Sequence, residues 1–286
     1  MNSTTTLILA LALIFTMWGM GLSLTMNDFT RVLKHPKAVL LGLLNQLIFL
    51  PIIGFTLLYF IPSSPEIAVG IVLLSACPGG PTSNLLSLLA KADTALSVTL
   101  TAITSIATIF TIPFIVNFGL VHFAGEGEHV QLDILNTIGQ MFAIVILPMA
   151  LGMFIKSKKP QFAFKMDRPI RLISVILLAL IILGIVLKEK ENIVDYFAQA
   201  GILALLLNGS TMVLGFLTAK ALKLRENQAV TISLESGIQN GTMALAISGT
   251  LLGNVAFGIA PAVYSLLMYI TGGIVVLLAL KNKKPV

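Results

Sequence analysis

The fold of this chain is decided by the segment Thr231-Ile232-Ser233-Leu234-Glu235-Ser236-Gly237-Ile238-Gln239-Asn240-Gly241-Thr242. It places a single carboxylate, that of Glu235, inside a long apolar stretch, and the glycines and polar residues after it indicate that the helix breaks there. An ionisable side chain at membrane depth costs about 3 kcal/mol on insertion scales, so such a residue is by default functional. A carboxylate beside a broken helix is typical of a transporter that couples to a cation.

The composition is that of a membrane protein. Of the 286 residues, 57% are hydrophobic and only 10% are charged, whereas about a quarter of the residues in a soluble domain are charged. We therefore predict an all-α polytopic membrane protein in which residues 1–286 form one transporter unit in a lipid bilayer. The net charge of +6 does not indicate nucleic-acid binding, because the basic residues flank apolar segments and form no patch.

About nine segments are apolar enough to cross a bilayer as helices, which takes about 20 residues each. The predicted spans cover about 7–24, 38–60, 66–90, 94–122, 133–155, 169–187, 196–220, 227–252 and 257–280. The first span follows a short N-terminal stretch without Lys or Arg. A signal peptide would carry positive charge there, so we expect a retained helix.

The basic residues predict the orientation in the membrane. All of them except Lys188 and Lys190 fall on loops after odd-numbered spans or on the C-terminal tail. The loop after the fourth span instead carries Glu126, Glu128 and Asp133. By the positive-inside rule, the N-terminus lies outside and the C-terminus lies in the cytoplasm, which requires an odd number of spans. We expect the protein in the plasma (inner) membrane.

A polar loop near 156–168 divides the chain into two similar halves. Each half contains one interrupted span, at 75–84 in the first half and at 235–241 in the second, one helix before the half ends. Two interruptions in corresponding positions predict an inverted-repeat transporter. Repeat one would cover about 1–123 and repeat two about 133–281.

The residues at the breaks suit the binding of both a cation and an anion. Pro78-Gly79-Gly80-Pro81 lacks two backbone donors and permits unwound backbone. Carbonyl groups freed there are ligands for a hard cation such as sodium. The N–H groups at 82–84 start a new helix whose positive end favours an anion, and Thr82 or Ser83 is expected to cap it. Asn240 is expected to open the matching helix of the second half.

Polar side chains in neighbouring spans are candidates to complete the site. Ser97 and Thr101 lie four residues apart, so both hydroxyl groups can face the break or can bond back to their own helix. Gln46 or Asn45 can reach the site from the second span, and their positions alone leave both open. Cys77 is the single cysteine, which excludes an intramolecular disulfide.

Several stretches in order resemble the bile acid:sodium symporter family over nearly the whole chain. They are Glu66-Ile67-Ala68-Val69-Gly70, Cys77-Pro78-Gly79-Gly80, Ser83-Asn84, Ala95-Leu96-Ser97-Val98 and Glu235-Ser236-Gly237-Ile238-Gln239-Asn240. The resemblance implies inverted five-helix repeats with two broken, crossing helices, in a nine-span form that lacks the first helix of repeat one. It also implies a panel domain with helices at about 7–24 and 133–187 and a core domain with helices at about 38–122 and 196–280.

The resemblance further implies two sodium ions and one organic anion. The first sodium site would use Ser83, Asn84, Ser97, Thr101 and Glu235. The second would use Gln46, Glu235, Ser236, Ile238 and Gln239, with the backbone of Ser236 and Ile238 as ligand, which favours Gln46 over Asn45. The substrate would lie near Pro81, Thr82, Asn240, Gly241 and Tyr269. The chain departs from the family pattern at Pro81-Thr82 and at Met268-Tyr269, where bacterial relatives often carry a His-Asn pair.

The predicted function is sodium-coupled symport of a small organic anion by alternating access. The anion would be a carboxylate such as pantoate or a keto acid, or a bile-acid-like compound. Arsenite export is the alternative. A related family also has a cysteine near a helix break, and Cys77 lies near the first break of this chain. An enzyme is not expected, since no His or pair of Asp residues falls in the middle of a span. The oligomeric state stays open, and a monomer is compatible with the sequence.

Overall fold

The regular structure of the described chain is helical. The computed structural model describes residues 3–124, 131–188, 190–191 and 193–281. Its helices are α1 (Ser3–Ser23), α2 (Met26–Thr30), α3 (Pro36–Leu44), α4 (Leu50–Phe60), α5 (Pro65–Ala76), α6 (Pro81–Leu89), α7 (Thr94–Phe123), α8 (Ile134–Met141), α9 (Leu147–Lys158), α10 (Pro160–Lys188), α11 (Ile193–Ala221), α12 (Glu226–Gly237), α13 (Gly241–Thr250) and α14 (Ile259–Lys281). The acidic residues Glu126 and Glu128 and the tail residues Lys283 and Lys284 lie outside the described residues.

Single turns of another helix type join some of these helices. Arg31–Leu33 and Val255–Gly258 are 3₁₀ turns, and Asn45–Phe49 and Phe142–Ile146 are π turns. Each π turn stands before a Leu-Pro pair, Leu50-Pro51 in one case and Leu147-Pro148 in the other. Since proline offers no N–H to the preceding turn, a widened turn accommodates it without ending the helix.

Seven of the described helical segments are long and apolar enough to cross a membrane. They are Thr6–Ser23, Pro36–Phe60, Thr94–Phe123, Ile134–Lys158, Pro160–Lys188, Ile193–Ala221 and Val255–Lys281. The two other predicted spans are each built from two short helices, α5 with α6 and α12 with α13. Large apolar side chains cover the outside, as where Phe110, Phe114 and Phe118 are exposed along one face of α7. This is the surface of a multi-pass integral membrane protein.

The two helix breaks fall where the sequence predicts them. After α5 the backbone of Cys77 turns to an extended conformation, and α6 starts with Pro81 at its first position, where a proline needs no N–H partner. After α12, Ile238 is extended, and Asn240 caps α13 by accepting a hydrogen bond from the N–H of Met243 at 3.0 Å.

The two breaks cross and pair with each other. The N–H of Gly80 donates to the carbonyl of Ile238 at 3.2 Å, and the N–H of Asn240 donates to the carbonyl of Pro78 at 2.9 Å. Gly79 and Gln239 thereby form an antiparallel bridge. Unwound backbone inside a membrane protein must satisfy its polar groups internally, and here each break supplies partners for the other.

The expected side-chain cap of α6 is wrong. Gly80 is the N-cap residue and has no side chain to offer, so α6 starts two residues earlier than a cap by Thr82 would require and three earlier than a cap by Ser83 would require. The Ser83 hydroxyl instead donates back to the carbonyl of Gly80 at 2.7 Å.

The predicted polar loop near 156–168 is also wrong in its extent. Only Lys159 separates α9 from α10, and α10 runs from Pro160 through Pro169. The polar composition of this stretch indicates a loop, but its residues continue α10, which accommodates Pro169 in its interior. As a result, Asp167 and Arg171 lie on a helix and face the interior of the fold.

Candidate ion and substrate site

Glu235 lies near the end of α12, two residues before Gly237, the last residue of that helix. Its side chain is buried, with the residue 1% exposed. Its Oε2 accepts a hydrogen bond from the Ser97 hydroxyl at 2.8 Å, and its Oε1 accepts one from the Thr101 hydroxyl at 2.5 Å. The i, i+4 spacing on α7 therefore directs both hydroxyl groups toward one carboxylate.

Two residues at the start of α6 complete this first cluster. The Thr101 Oγ1 lies 3.4 Å from the Ser83 Oγ and 3.2 Å from the Asn84 Oδ1. It also lies 3.0 Å from the carbonyl of Ser97 on its own helix. Thr101 therefore contacts both the break and its own helix. A hydroxyl has one hydrogen, and the shortest of these contacts is to Glu235. The cluster therefore holds more oxygen acceptors than hydrogens to serve them.

No basic side chain among the described residues forms an ion pair with Glu235. The ion pairs found in the described part of the chain are Arg171–Asp167 and Lys220–Glu226. A buried carboxylate without a counter-charge is costly. A cation with a preference for oxygen ligands would lower that cost.

Gly79 is required where the two breaks cross. A Cβ atom on Gly79 would lie 2.4 Å from the Oε1 and 3.0 Å from the Cδ of Glu235. The carboxylate therefore lies directly against the backbone of the opposite break, and any side chain there would displace it.

Gln46, Gln239 and Ser236 form a second cluster on the other side of the crossing. The Gln46 Nε2 donates to the Gln239 Oε1 at 2.6 Å and to the carbonyl of Cys77 at 3.0 Å. The Gln239 Nε2 donates to the carbonyl of Ser236 at 2.8 Å. Asn45 instead binds the carbonyl of Leu41 and the hydroxyl of Thr218. Of the two amides left open by the sequence, Gln46 is the one that reaches the break.

The hydrogen bonds found among the described residues join Glu235 to the first cluster, and none joins it to the second. The carbonyl of Ile238 accepts from Gly80 across the crossing. The two clusters are thus adjacent and share the end of α12, but their polar contacts are separate in this conformation.

A cavity of about 240 Å³ lies beside the crossing. The five residues expected near the substrate all line it: Pro81, Thr82, Asn240, Gly241 and Tyr269. Asn84 and Gln239, one from each cluster, also line it. Residues of α1 and α10 form the facing wall, including Thr16, Asp167 and Arg171. The cavity therefore lies between the crossing and two helices that the family resemblance implies are panel helices.

Asn240 lines this cavity and has an unused donor beside it. Its Oδ1 caps α13, while its Nδ2 is buried and has no hydrogen-bond partner among the described residues. Nearby, the hydroxyl groups of Thr82 and Tyr269 are 3.5 Å apart. A buried donor without an acceptor is costly, so this position is suited to an acceptor atom of a ligand.

Several site residues have no clear signal in the sequence. Asn208 Nδ2 and the Tyr264 hydroxyl both donate to the carbonyl of Gly237, at 2.7 and 2.8 Å, and so hold the end of α12. Asn208 is a lone amide in an apolar segment, which is the only hint of its role. Asp167 and Arg171 resemble loop residues by composition, and their i, i+4 spacing is the signal that indicates a helix.

Cys77 is buried next to the first break and does not line the cavity. Its carbonyl, rather than its thiol, contributes to the second cluster by accepting a hydrogen bond from Gln46.

Crossed broken helices, a buried carboxylate and a central cavity define the class of protein: a multi-pass membrane protein built as a transporter. The chain belongs to the Sodium Bile acid symporter family, whose sequence model matches residues 10–196.

Of three similar proteins, the two from Bacillus subtilis and Oryza sativa carry names of sodium-coupled transporters. A protein of Bacillus subtilis named as the uncharacterized sodium-dependent transporter YocS is 33% identical over 236 residues, covering 81% of this chain and 70% of that protein. The probable sodium/metabolite cotransporter BASS2 of Oryza sativa is 28% identical over 258 residues, covering 90% of this chain and 60% of the relative. The P3 protein of Homo sapiens is 29% identical over 233 residues, covering 79% of this chain and 47% of that protein. This chain thus spans less than two thirds of the plant and human relatives.

Proposed function

We propose that this protein couples the movement of sodium to the uptake of a small organic anion. The observation that carries the proposal is the Glu235 carboxylate, which is buried among hydroxyl groups of α7 without a basic partner among the described residues. Family membership and the sodium-dependent names of the Bacillus and plant relatives support the same coupling ion.

The first sodium ion would bind in the cluster of Ser83, Asn84, Ser97, Thr101 and Glu235. All its ligand atoms are oxygens, as a hard cation requires. One hydroxyl hydrogen of Thr101 faces three acceptors within 3.2 Å. A cation in that space would bind the oxygen acceptors that receive no hydrogen bond.

The second ion would bind at Gln46 and Gln239, with the Glu235 carboxylate and the carbonyls of Ser236 and Ile238. The two amides now bind each other. An amide oxygen must turn toward the ion for this site to form, and the broken hydrogen bonds would be exchanged for metal–oxygen contacts. Two sodium ions would share the single negative charge of Glu235.

The anion would bind at the start of α13, where Asn240 Nδ2 lacks an acceptor. The positive ends of α6 and α13 favour a carboxylate there. Thr82 and Tyr269 supply further hydroxyl donors, and Pro81 and Gly241 form the backbone surface of the site. Occupation of this site places negative charge next to the sodium ligands Asn84 and Gln239, which provides the electrostatic basis for coupling.

Alternating access would arise from movement of a core against a panel. The panel would contain α1, α8, α9 and α10, and the core would contain the remaining long helices with the crossing. The cavity lies between the two groups, so their relative movement would open it to one side and close it to the other. The N-terminus outside and the C-terminus in the cytoplasm of the plasma membrane complete the proposed topology.

The test is uptake of labelled carboxylates into proteoliposomes with and without an inward sodium gradient, at a clamped membrane potential. Uptake should require the gradient. Glu235→Gln should abolish sodium-dependent uptake, whereas Glu226→Gln, an exposed carboxylate in the first turn of the same helix, should retain it. Uptake that is equal without sodium would refute the proposal.

Arsenite export is the alternative function, and it would use the thiol of Cys77. The thiol is fully buried and lies outside the residues that line the cavity, so a ligand in the cavity does not reach it. Cys77→Ser should retain sodium-dependent carboxylate uptake. Arsenite efflux from loaded vesicles that disappears in Cys77→Ser would favour the alternative.

A further inference from the structure

We propose that Arg171 binds a second acidic group of the substrate, so that the transported anion is a small dicarboxylate. This inference rests on the proposed function and specifies its substrate class. It is carried by a charged pair on the cavity wall that faces the helix starts.

One face of α10 lines the cavity. The lining residues are Asp167, Ile170, Arg171, Ser174, Val175 and Leu178. Their spacing of three and four residues is that of a single helical face. The first turns of this face are polar and the last is apolar, so the facing wall has a polar end and an apolar end.

Close contact with α1 determines the position of Arg171. A Cβ atom on Gly19 would lie 2.2 Å from the Cγ2 of Ile170. Only a glycine allows α10 to lie this near to α1, and Arg171, the residue after Ile170, lines the cavity beside this contact. Among the residues that line the cavity, Asp167 and Arg171 are the ones that carry formal charge.

Arg171 has unused hydrogen-bonding capacity. One of its terminal nitrogens, Nη2, pairs with the Oδ2 of Asp167, and no other hydrogen bond of its guanidinium group is found among the described residues. A guanidinium group offers five N–H donors in a planar fork that suits a carboxylate in a bidentate arrangement. The pair with Asp167 thus holds the side chain in place and leaves donors free for a ligand.

The pair contributes little to fold stability. Both side chains are more than a third exposed, at 39% for Arg171 and 46% for Asp167, and exposed i, i+4 pairs stabilise a helix only weakly. Recognition of a ligand provides a further reason for a charged pair on the wall of a cavity whose other lining residues are uncharged.

The cavity lining offers two positions for a carboxylate, which suits a ligand bound at both ends. One carboxylate would bind at Asn240 and the start of α13, and the other would bind at Arg171 across the cavity. The residues that line the cavity other than Asp167 and Arg171 are uncharged, so Arg171 is the cationic group there that a second carboxylate would meet.

The experiment measures ligand binding to the purified full-length chain in nanodiscs by calorimetry, with sodium and with potassium. Succinate, glutarate and adipate are compared with butyrate, valerate and hexanoate, which match them in chain length and lack the second carboxylate. The wild type should bind at least one dicarboxylate tenfold or more tightly than its matched monocarboxylate, in sodium only.

Variants separate recognition from a structural role. Arg171→Gln should lower dicarboxylate affinity tenfold or more and change monocarboxylate affinity less than twofold. Asp167→Asn should keep or increase the dicarboxylate preference, because it removes the carboxylate that competes for Arg171. The dicarboxylate affinity of Arg171→Lys should lie between those of the wild type and Arg171→Gln, since an ammonium group lacks the planar fork. Arg168→Gln is the control, because Arg168 is exposed on the same helix and does not line the cavity.

Each outcome decides a different claim. If sodium-dependent binding occurs without any dicarboxylate preference, or if Arg171→Gln and Asp167→Asn weaken both ligand classes alike, Arg171 is structural and the inference fails while the proposed function stands. If no carboxylate binds the wild type in a sodium-dependent way, both fail.

Discussion

At the scale of single residues, the site is organised around one buried carboxylate. Ser97 and Thr101 donate to Glu235 from α7, and the Gly79 backbone lies against it from the opposite break. Hydroxyl donors lower the cost of burying the charge without neutralising it. The residual negative charge is what a cation would bind.

Thr101→Val is expected to raise the apparent dissociation constant for sodium at least about tenfold. The change keeps the shape but removes both a ligand oxygen and the 2.5 Å hydrogen bond to Glu235, and a bond to a charged group contributes about 1.5–3 kcal/mol. The dissociation constant for sodium is measured from the rise in thermal stability with sodium concentration. Thr111→Val is the control, because the buried Thr111 hydroxyl on the same helix has no partner, and an unchanged sodium response in both variants would contradict the prediction.

Gly79→Ala is expected to abolish sodium-dependent uptake and to destabilise the fold by about 1–3 kcal/mol through overpacking. The added methyl group would overlap the Glu235 carboxylate. Gly273→Ala should behave like the wild type, because nothing lies within 4 Å of a Cβ atom there. Uptake assays and thermal unfolding measure both effects, and normal uptake by Gly79→Ala would show that the carboxylate does not need its present position.

At the scale of elements, each broken helix is held by partners outside itself. The breaks exchange backbone hydrogen bonds, and Asn208 and Tyr264 bind the last carbonyl of α12. The start of α13 is different, because Asn240 uses one end of its amide as a cap and leaves the other end free.

Substitutions at Asn240 should separate the cap from the ligand donor. Asn240→Asp keeps an oxygen that can cap α13 and removes the amide donor, so we expect near-normal stability with loss of carboxylate binding. Asn240→Ala should lose binding and also about 1 kcal/mol of stability. Thermal unfolding and calorimetry measure the two effects, and carboxylate binding by Asn240→Asp at wild-type affinity would exclude the proposed anion contact.

At the scale of the whole molecule, the cavity lies between the crossing and the face formed by α1 and α10. If the panel and the core move as units, contacts within the panel persist through the transport cycle and contacts between panel and core change. Leu22 of α1 and Ala163 of α10 lie in one buried cluster within the proposed panel, and Gly258 with Ile185 lies between the core and the panel.

Cross-linking should therefore distinguish the two contacts, in a Cys77→Ser background. Gly258→Cys with Ile185→Cys, joined by a short bismaleimide, should arrest uptake, because it ties the core to the panel. Leu22→Cys with Ala163→Cys, joined in the same way, should leave uptake largely intact, because neither residue lines the cavity. Equal inhibition by both cross-links, or by neither, would argue against movement of the panel against the core.

The sequence by itself determined the class of fold, the positions of the breaks and most of the candidate site. The length of an apolar segment and the presence of proline or glycine act on local structure. The breaks at Pro78-Gly79-Gly80-Pro81 and after Glu235 are therefore predictable from the sequence. Ser97, Thr101 and Glu235 are polar groups in apolar spans, and their burial cost marks them without any structure.

Only the tertiary structure decided which polar groups meet. Gln46 and Asn45 are neighbours with similar chemistry, and the choice between them depends on the direction of side chains in a π turn. Asp167 and Arg171 belong to a polar, basic stretch that indicates a loop, yet α10 is continuous through Pro169 and packs closely against Gly19, and both residues line the cavity. Local preferences of the chain are weak compared with such packing, so contacts between distant segments are decided by the fold.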